Sequence, residues 1–388
     1  MDKNRIKKFA IWARTELITR VTQRAYLYGV DVESTMDPEA RDINGRLLTE
    51  EERQKRKHLI RRVKKNGFQN VMEEAAYTWF NRFAALRYME VNGVLPTRVR
   101  VLSAADGTFA PQIIDECLTM ENLEGVDKSV IFDLKEKDAT DELYKYLLIT
   151  QCNALGNILP PVFRQIKDYT ELLLPDNLLR EGSVIHQLVT EIDEDDWRDQ
   201  VQIIGWLYQY YNSEPKDAVF AALKKNIKVS KENIPAATQL FTPDWIVRYM
   251  VENSLGRLYA ESKDNQEEVA NRMEWKYYLP EAKQEPEVEK ELAALRASRR
   301  DLRPEDIKVI DPCMGSGHIL VYAFDVLVQI YKDAGYREKD CPELILKNNL
   351  FGLDIDDRAY QLAYFAVMMS AWRYNHRILT KVLKPLLH

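Results

Sequence analysis

Two short strings carry the residues best suited to chemistry. The first, Asp311-Pro312-Cys313-Met314-Gly315-Ser316-Gly317-His318, follows the β-branched run Ile307-Lys308-Val309-Ile310 and precedes an amphipathic stretch from Ile319 to Tyr331. Strand, Gly-rich turn and helix in that order form the first unit of a nucleotide-binding sheet. Gly315 and Gly317 remove side chains where the backbone must turn tightly and approach a ligand. The amides that follow sit at a helix N-terminus and can receive a negative group. The second string, Asn349-Leu350-Phe351-Gly352-Leu353, reads as another strand and ends on Asp354-Ile355-Asp356-Asp357, before a helix from about Arg358 to Trp372. In parallel α/β sheets the ligand lies outside the carboxyl ends of the strands. An acid placed there can accept hydrogen bonds from both ribose hydroxyls. Asp354 is assigned that role, Ile355 supplies an apolar face beside the adenine, and Asp356 and Asp357 cap the next helix.

Other chemistries fit these residues less well. A dinucleotide dehydrogenase carries three glycines spaced G-x-G-x-x-G, whereas Leu320 occupies the third position here. His318 stands at the helix start, where it contacts a carboxylate or satisfies the turn. With no second histidine or thiol placed to help it, neither metal ligation nor acid–base catalysis is expected of it. Cys313 reads as a small buried residue rather than a nucleophile. The acidic run from Glu191 to Asp199 reads as a helix start, its carboxylates near the positive end of the dipole, and no metal site is expected. The basic run from Arg53 to Lys65 can track phosphates, but Leu59, Ile60 and Val63 interrupt it as they would a solvated helix face.

The elements that must position these residues follow from periodicity. Ile6, Phe9, Ala10, Ala13, Leu17, Val21 and Ala25 recur at spacings of three and four and predict a first helix. The aromatic-rich stretch Val71–Met89 is helix core that ends at Asn92-Gly93, and residues 140–225 continue in helical pattern, with turn signals at Leu159-Pro160-Pro161, Pro175-Asp176-Asn177 and Asn212–Pro215. The character changes at Asn233-Ile234-Pro235. Thr242 then caps a helix with Pro243 in its first turn, and Trp245, Ile246, Tyr249, Met250 and Leu255 carry it to Gly256. Residues 261–306 are highly charged and read as a surface excursion with two helical pieces, the second from Glu287 to Arg300.

The chain is therefore expected to be α/β, with a mainly α-helical N-terminal region, residues 1–232, followed over 233–388 by the start of a doubly wound, Rossmann-like sheet. Its 388 residues, 46% hydrophobic and 30% charged, suit a globular protein of two or three domains. Four cysteines far apart, no apolar run of membrane-spanning length and no secretory leader point to the reducing cytoplasm. The net charge of −6 is unevenly spread, residues 1–110 holding 21 Lys and Arg against 14 Asp and Glu. Such asymmetry can mark a binding surface on one part of a chain.

These strings resemble those of a known family. DPCMGSGHIL at 311–320 resembles motif I of S-adenosylmethionine-dependent DNA adenine methyltransferases, and LFGLDID at 350–356 is similar to the acidic motif that follows it. QLFTPDWIVRYMVENSLG at 239–256 resembles the motif that, in one permutation of these enzymes, precedes motif I and closes over the methionine end of the cofactor. FNRFAALRYMEVNG at 80–93, IGWLYQYYNSEPKDAVF at 204–220 and KNRIKKFAIWARTELI near the start are similar to segments of the large methyltransferase of bacteriophage-exclusion (BREX) systems. The resemblance implies methylation of the exocyclic amine of adenine in double-stranded DNA, with S-adenosyl-L-methionine as cofactor and other BREX proteins as partners. It also implies site roles. Thr242 and Pro243 would contact the methionine portion, Asp311, Gly315 and Gly317 would form the loop around it, Asp354 would hold the ribose and Ile355 would pack on the cofactor adenine.

The amine's lone pair is delocalised into the ring, so such an enzyme must position it and draw it out of conjugation. In this family an Asn/Asp-Pro-Pro-Tyr/Phe loop does so and stacks on the flipped base. No such string occurs here. Leu159-Pro160-Pro161-Val162 has the prolines but lacks the acid or amide and the aromatic, and it lies upstream of motif I. With His388 falling about where a third strand is expected, the chain reads as a truncated sheet with a cofactor half-site, no catalytic residue and no activity alone. An open sheet edge and an uncovered apolar helix over 360–372 would then favour aggregation. Two alternatives are a non-catalytic assembly or DNA-docking module and a methyltransferase acting on protein or RNA.

Overall fold

The computed structural model describes residues 1–32, 37–120, 123–163, 169–230, 233–238, 241–380 and 385–388. Two compact units divide the chain, Met1–Ala237 and Thr238–His388. Gln239 and Leu240, which open the string at 239–256, lie outside the described residues, as do residues 231 and 232 beside the expected domain boundary.

The first unit is mainly helical. Helix α1 (Lys3–Leu27) starts at Asp2, whose carboxylate accepts from the amides of Asn4 and Arg5, and it buries the seven apolar residues that its spacing picks out. A two-residue hairpin, β1 (Asp42–Ile43) and β2 (Arg46–Leu47), leads to helix α2 (Glu50–Asn66). That helix begins with a reciprocal cap, Thr49 Oγ1 accepting from the Glu52 amide at 3.1 Å and Glu52 Oε2 accepting from the Thr49 amide at 2.9 Å. Helix α3 (Phe68–Val91) is buried along most of its length and packs on α1 and α2. Leu159-Pro160-Pro161 proves to open a short helix, Pro160–Phe163, rather than a plain turn, because proline suits a first helical turn.

One buried carboxylate in this unit is fully engaged. Glu90 accepts from the amides of Val101 and Leu102 at 2.9 and 2.8 Å, from Ser103 Oγ at 3.0 Å and from Arg87 Nη1 at 2.7 Å. Arg87 also faces Glu194 at 3.2 Å. The acidic run around Glu194 forms only a single 3₁₀ turn, Glu194–Asp196, instead of the start of a longer helix. Its carboxylates face cations: Asp193 binds Arg5, Glu194 binds Arg100, and Asp196 binds the N-terminal ammonium.

The second unit opens on a helix, Asp244–Val251, that runs through a π turn at Glu252–Gly256 into Arg257–Ala260. Strands β3 (Val309–Asp311), β4 (Leu350–Gly352) and β5 (Leu386–Leu387) then pair in parallel in the order β3-β4-β5. The third strand stands where the sequence leads one to expect it. Between them lie the helices His318–Asp333 and Asp357–Tyr374, which pack on each other. The second of these is far from uncovered: every residue from Leu362 to Ala371 is buried.

Strands this short need other anchors. Asn349, fully buried, donates from its amide nitrogen to the carbonyls of Pro304 and Ile307 at 2.7 and 2.8 Å, and its oxygen accepts from Tyr331 at 2.9 Å. Its own carbonyl accepts from the Val309 amide at 2.8 Å, which sets Asp311 opposite Gly352. Gly352 has no room for a Cβ, because Met314 Sδ, Leu320 and Leu387 close on that position. The charged excursion is helical over Gln266–Arg272 and Pro286–Ala297, and the latter helix buries no residue.

Candidate functional site

The site is built at the carboxyl end of β3 and β4. Asp311 closes β3 and is only 8% exposed. Its Oδ1 accepts from the Cys313 amide at 3.2 Å, while Oδ2 is buried without a hydrogen-bond partner. Burial pushes the carboxyl above its ordinary pKa, the nearby Asp354 charge adds to the rise, and the Cys313 amide opposes it. A buried acceptor without a donor is costly, on the order of 1–3 kcal/mol, so the fold carries it for a reason other than stability.

The loop that follows is tied to the second strand. Gly315 donates its amide to Asp354 Oδ2 at 2.8 Å, and Asp354 Oδ1 accepts from the Asp356 amide at 2.8 Å. Each carboxylate oxygen of Asp354 thus holds one backbone donor and keeps a lone pair for another. A Cβ on Gly315 would meet nothing within 4 Å, which leaves open space beside the loop. Gly317 precedes the helix with φ +80°, in the left-handed region, and a Cβ there would press on Ala363 at 3.0 Å. Past Asp354, Ile355 stands 70% exposed, as an apolar platform for a ligand would require. Asp356 caps the next helix through the Arg358 amide at 3.0 Å and pairs with the Arg358 guanidinium, while Asp357 is that helix's first residue.

The segment from Phe241 onward joins the same place. The Phe241 ring stacks on the His318 ring with centroids 4.3 Å apart and planes 3° from parallel. His318 Nε2 lies 3.9 Å from Asp244 Oδ1. Burial holds the imidazole below its usual pKa, against the pull of Asp244 and the Thr242 backbone. Thr242 is half-buried beside this ring and Pro243 is exposed. Thr242 does not cap the helix. Pro243 occupies the position before Asp244, and no side chain caps there.

Asp311, Gly315 and Asp354 are therefore brought together, Gly317 fixes the turn beside them, and Thr242 reaches His318. Cys313, expected to be buried, is exposed on the loop. The Phe241–His318 stack escapes sequence reading because 77 residues separate its members. Among the described residues no group of three or more His, Cys, Asp or Glu could hold a metal ion, and no helix is long and apolar enough to cross a membrane. Half of the cations in the basic run on α2 are paired: Arg53, Lys55, Lys57 and Arg62 pair with Glu50, Glu51 and Glu171, Glu39, and Glu74 respectively.

No family model matches the chain. It is 42% identical over 390 residues to the adenine-specific methyltransferase BrxX of Escherichia coli O9:H4, covering 98% of this chain and 32% of that protein. It is 40% identical over 418 residues to the adenine-specific methyltransferase PglX of Lacticaseibacillus casei, covering 99% of this chain and 34% of that protein. A shorter likeness, 30% over 141 residues, joins 34% of this chain to 12% of a putative type II restriction enzyme and methyltransferase of Methanocaldococcus jannaschii. The chain spans about a third of the length of the first two relatives.

Proposed function

Because this chain belongs, over nearly its whole length, to the family of the BrxX and PglX adenine-specific methyltransferases, we propose that its second unit holds S-adenosylmethionine for methylation of adenine in DNA during phage defence. In this reading residues 233–388 are the start of a Rossmann-like methyltransferase domain that follows a helical region over 1–232.

The observation that carries the reading is the pair of carboxylates at the strand ends, Asp311 with a buried oxygen lacking a donor and Asp354 held by two amides. An acidic pocket with unfilled acceptors suits a ligand that brings hydroxyl and ammonium donors and a positive sulfur. S-Adenosylmethionine, when bound, supplies an activated methyl group. Asp311 then takes a donor from the methionine portion, beside Gly315, Gly317, Thr242 and Pro243. Asp354 accepts from the ribose hydroxyls and Ile355 packs on the adenine. Closing Thr242 and Pro243 over the loop would exclude water, so these residues hold and orient the cofactor and move no proton.

These 388 residues contain no Asn/Asp-Pro-Pro-aromatic string, so none of them is assigned to drawing the target amine out of conjugation. The 388-residue chain alone is expected to transfer no methyl group. Double-stranded DNA and other defence proteins are the proposed partners.

Calorimetry with S-adenosylmethionine tests the reading. Binding by the purified chain, lost in Asp354→Ala and weakened in Ile355→Asp, is the expected result. The second variant matters because Ile355 is exposed and its replacement leaves the loop's hydrogen bonds in place. A folded chain that takes up no cofactor would overturn the reading in favour of an assembly module. Radioactive methyl transfer to unmethylated DNA by the chain alone would refute the expected inactivity.

A further inference from the structure

His318 is buried, 7% exposed; the Thr242 backbone faces its ring, but neither ring nitrogen makes a well-directed hydrogen bond. A buried imidazole kept for its polarity would have partners. What this ring does have is a flat face covered by Phe241.

The surroundings form a ladder between two helices. On the helix that follows the glycine loop, His318 and Tyr322 lie four residues apart and so share a face. Opposite them Asp244, Arg248 and Glu252 also recur every four residues. Arg248 Nε donates to Asp244 Oδ2 at 2.7 Å, and its guanidinium lies 4.6 Å over the Tyr322 ring. Tyr322 in turn donates to Glu252 Oε1 at 2.7 Å, and Glu252 Oε2 accepts from the Tyr277 amide at 2.5 Å. The π turn at Glu252 allows this buried carboxylate to face Tyr322. The upper rung is the Phe241–His318 stack; the lower rung is Arg248–Tyr322–Glu252.

The lower rung fixes the helix Asp244–Val251, whose first turn is joined to Pro243 by that residue's carbonyl, accepting from the amides of Ile246 and Val247 at 3.0 and 3.2 Å. The upper rung engages the segment one step earlier, at Phe241. Thr242 and Pro243 follow Phe241 directly, and His318 follows Gly317 directly. Stacking one ring on the other therefore sets the distance between the two halves of the proposed cofactor site.

We propose that His318 is a positioning residue that fastens the Phe241–Pro243 segment to the glycine loop through the face of its ring and not through its charge. The inference rests on the cofactor reading above and adds a residue that touches no cofactor atom. The 3.9 Å gap to Asp244 is too long for a hydrogen bond, so removing the ring nitrogens forfeits little.

The test uses the whole chain and compares His318→Phe with His318→Ala. His318→Phe keeps a flat ring and is expected to bind S-adenosylmethionine within about twofold of wild type, whereas His318→Ala weakens binding about fivefold to tenfold, the scale of one aromatic pair. The amides of Ile246 and Val247, which donate to the Pro243 carbonyl, exchange with solvent faster in His318→Ala and at the wild-type rate in His318→Phe. Phe241→Ala mimics His318→Ala, and the double variant is no weaker than either single change, because both remove one interaction. Failure of His318→Phe to rescue, or additive effects in the cycle, overturns the inference. A wild-type chain that binds no cofactor overturns the functional reading instead, and the exchange comparison then decides the fastening without ligand.

Discussion

Each unit buries acids, and two of them, Glu90 and Asp311, are treated in opposite ways. Glu90 in the helical unit receives four hydrogen bonds, one from a guanidinium that is itself fully buried. Asp311 in the second unit receives one, at 3.2 Å, and faces another carboxylate rather than a cation. Both lie below a tenth exposed, so burial does not separate them; partners do. A saturated acid organises a core, whereas an unsaturated one has acceptor capacity left over, which is what the proposed cofactor site calls for.

The contrast can be broken at several points. The largest effect is expected from Glu90→Ala, which leaves Arg87 buried without this partner and costs about 3–5 kcal/mol. Denaturant unfolding of the first unit reads it, and a loss under about 1 kcal/mol would mean that Glu90 is no keystone. Gly352→Ala comes next. Its Cβ enters the space held by Met314, Leu320 and Leu387, and over-packing of that kind costs about 1–3 kcal/mol. The same unfolding measurement, followed in the second unit, checks it.

Asp311→Asn sharpens the comparison because stability and binding should move apart. The folded carboxyl has its pKa above that of the unfolded chain, so protons favour the folded state. Stability therefore falls as pH rises from about 3.9 through the raised folded value, and at neutral pH the charge is a liability. Asn removes the charge. The apo chain should melt at a higher temperature with a flatter pH dependence, while S-adenosylmethionine binds about tenfold more weakly. Loss of both properties together would class Asp311 with Glu90 as a structural acid. At the bottom of the scale, Lys64→Gln and Lys65→Gln on the exposed face of α2 should change stability by no more than about 0.5 kcal/mol.

What the sequence reveals depends on how far apart the cooperating residues lie. Repeats within one helix are legible, as the buried row Ile6 to Ala25 shows. The strand–turn–helix units are legible too, since each keeps its residues in one short string, Asp311 to His318 in the first and Asp354 to Asp357 in the second. Pairings across long separations are not. Glu90 with Val101 and Arg87 with Glu194 are invisible to periodicity, as is the Phe241–His318 stack. On α2 the buried Leu59, Ile60 and Val63 bear out the helix-face reading of the basic run, whereas three of the acids that pair with it, Glu39, Glu74 and Glu171, lie outside the helix and are not legible. Thr242 misleads locally, because a residue suited to capping sits one position too early for the helix that forms.

The buried Asn349 has one further consequence. The ladder between β3 and β4 is three residues long, so few of its own bonds resist a slip. Successive strand residues face opposite ways, and a one-residue error would put the apolar Ile310 where Asp311 now meets Gly352. The acceptor would vanish from the pocket although the chain looked folded. Asn349 grips Pro304, Ile307 and Tyr331 at once, on both sides of β3 in sequence, and only one alignment satisfies all three. It works as a key cut for a single lock, and it makes assembly of the pocket all-or-none.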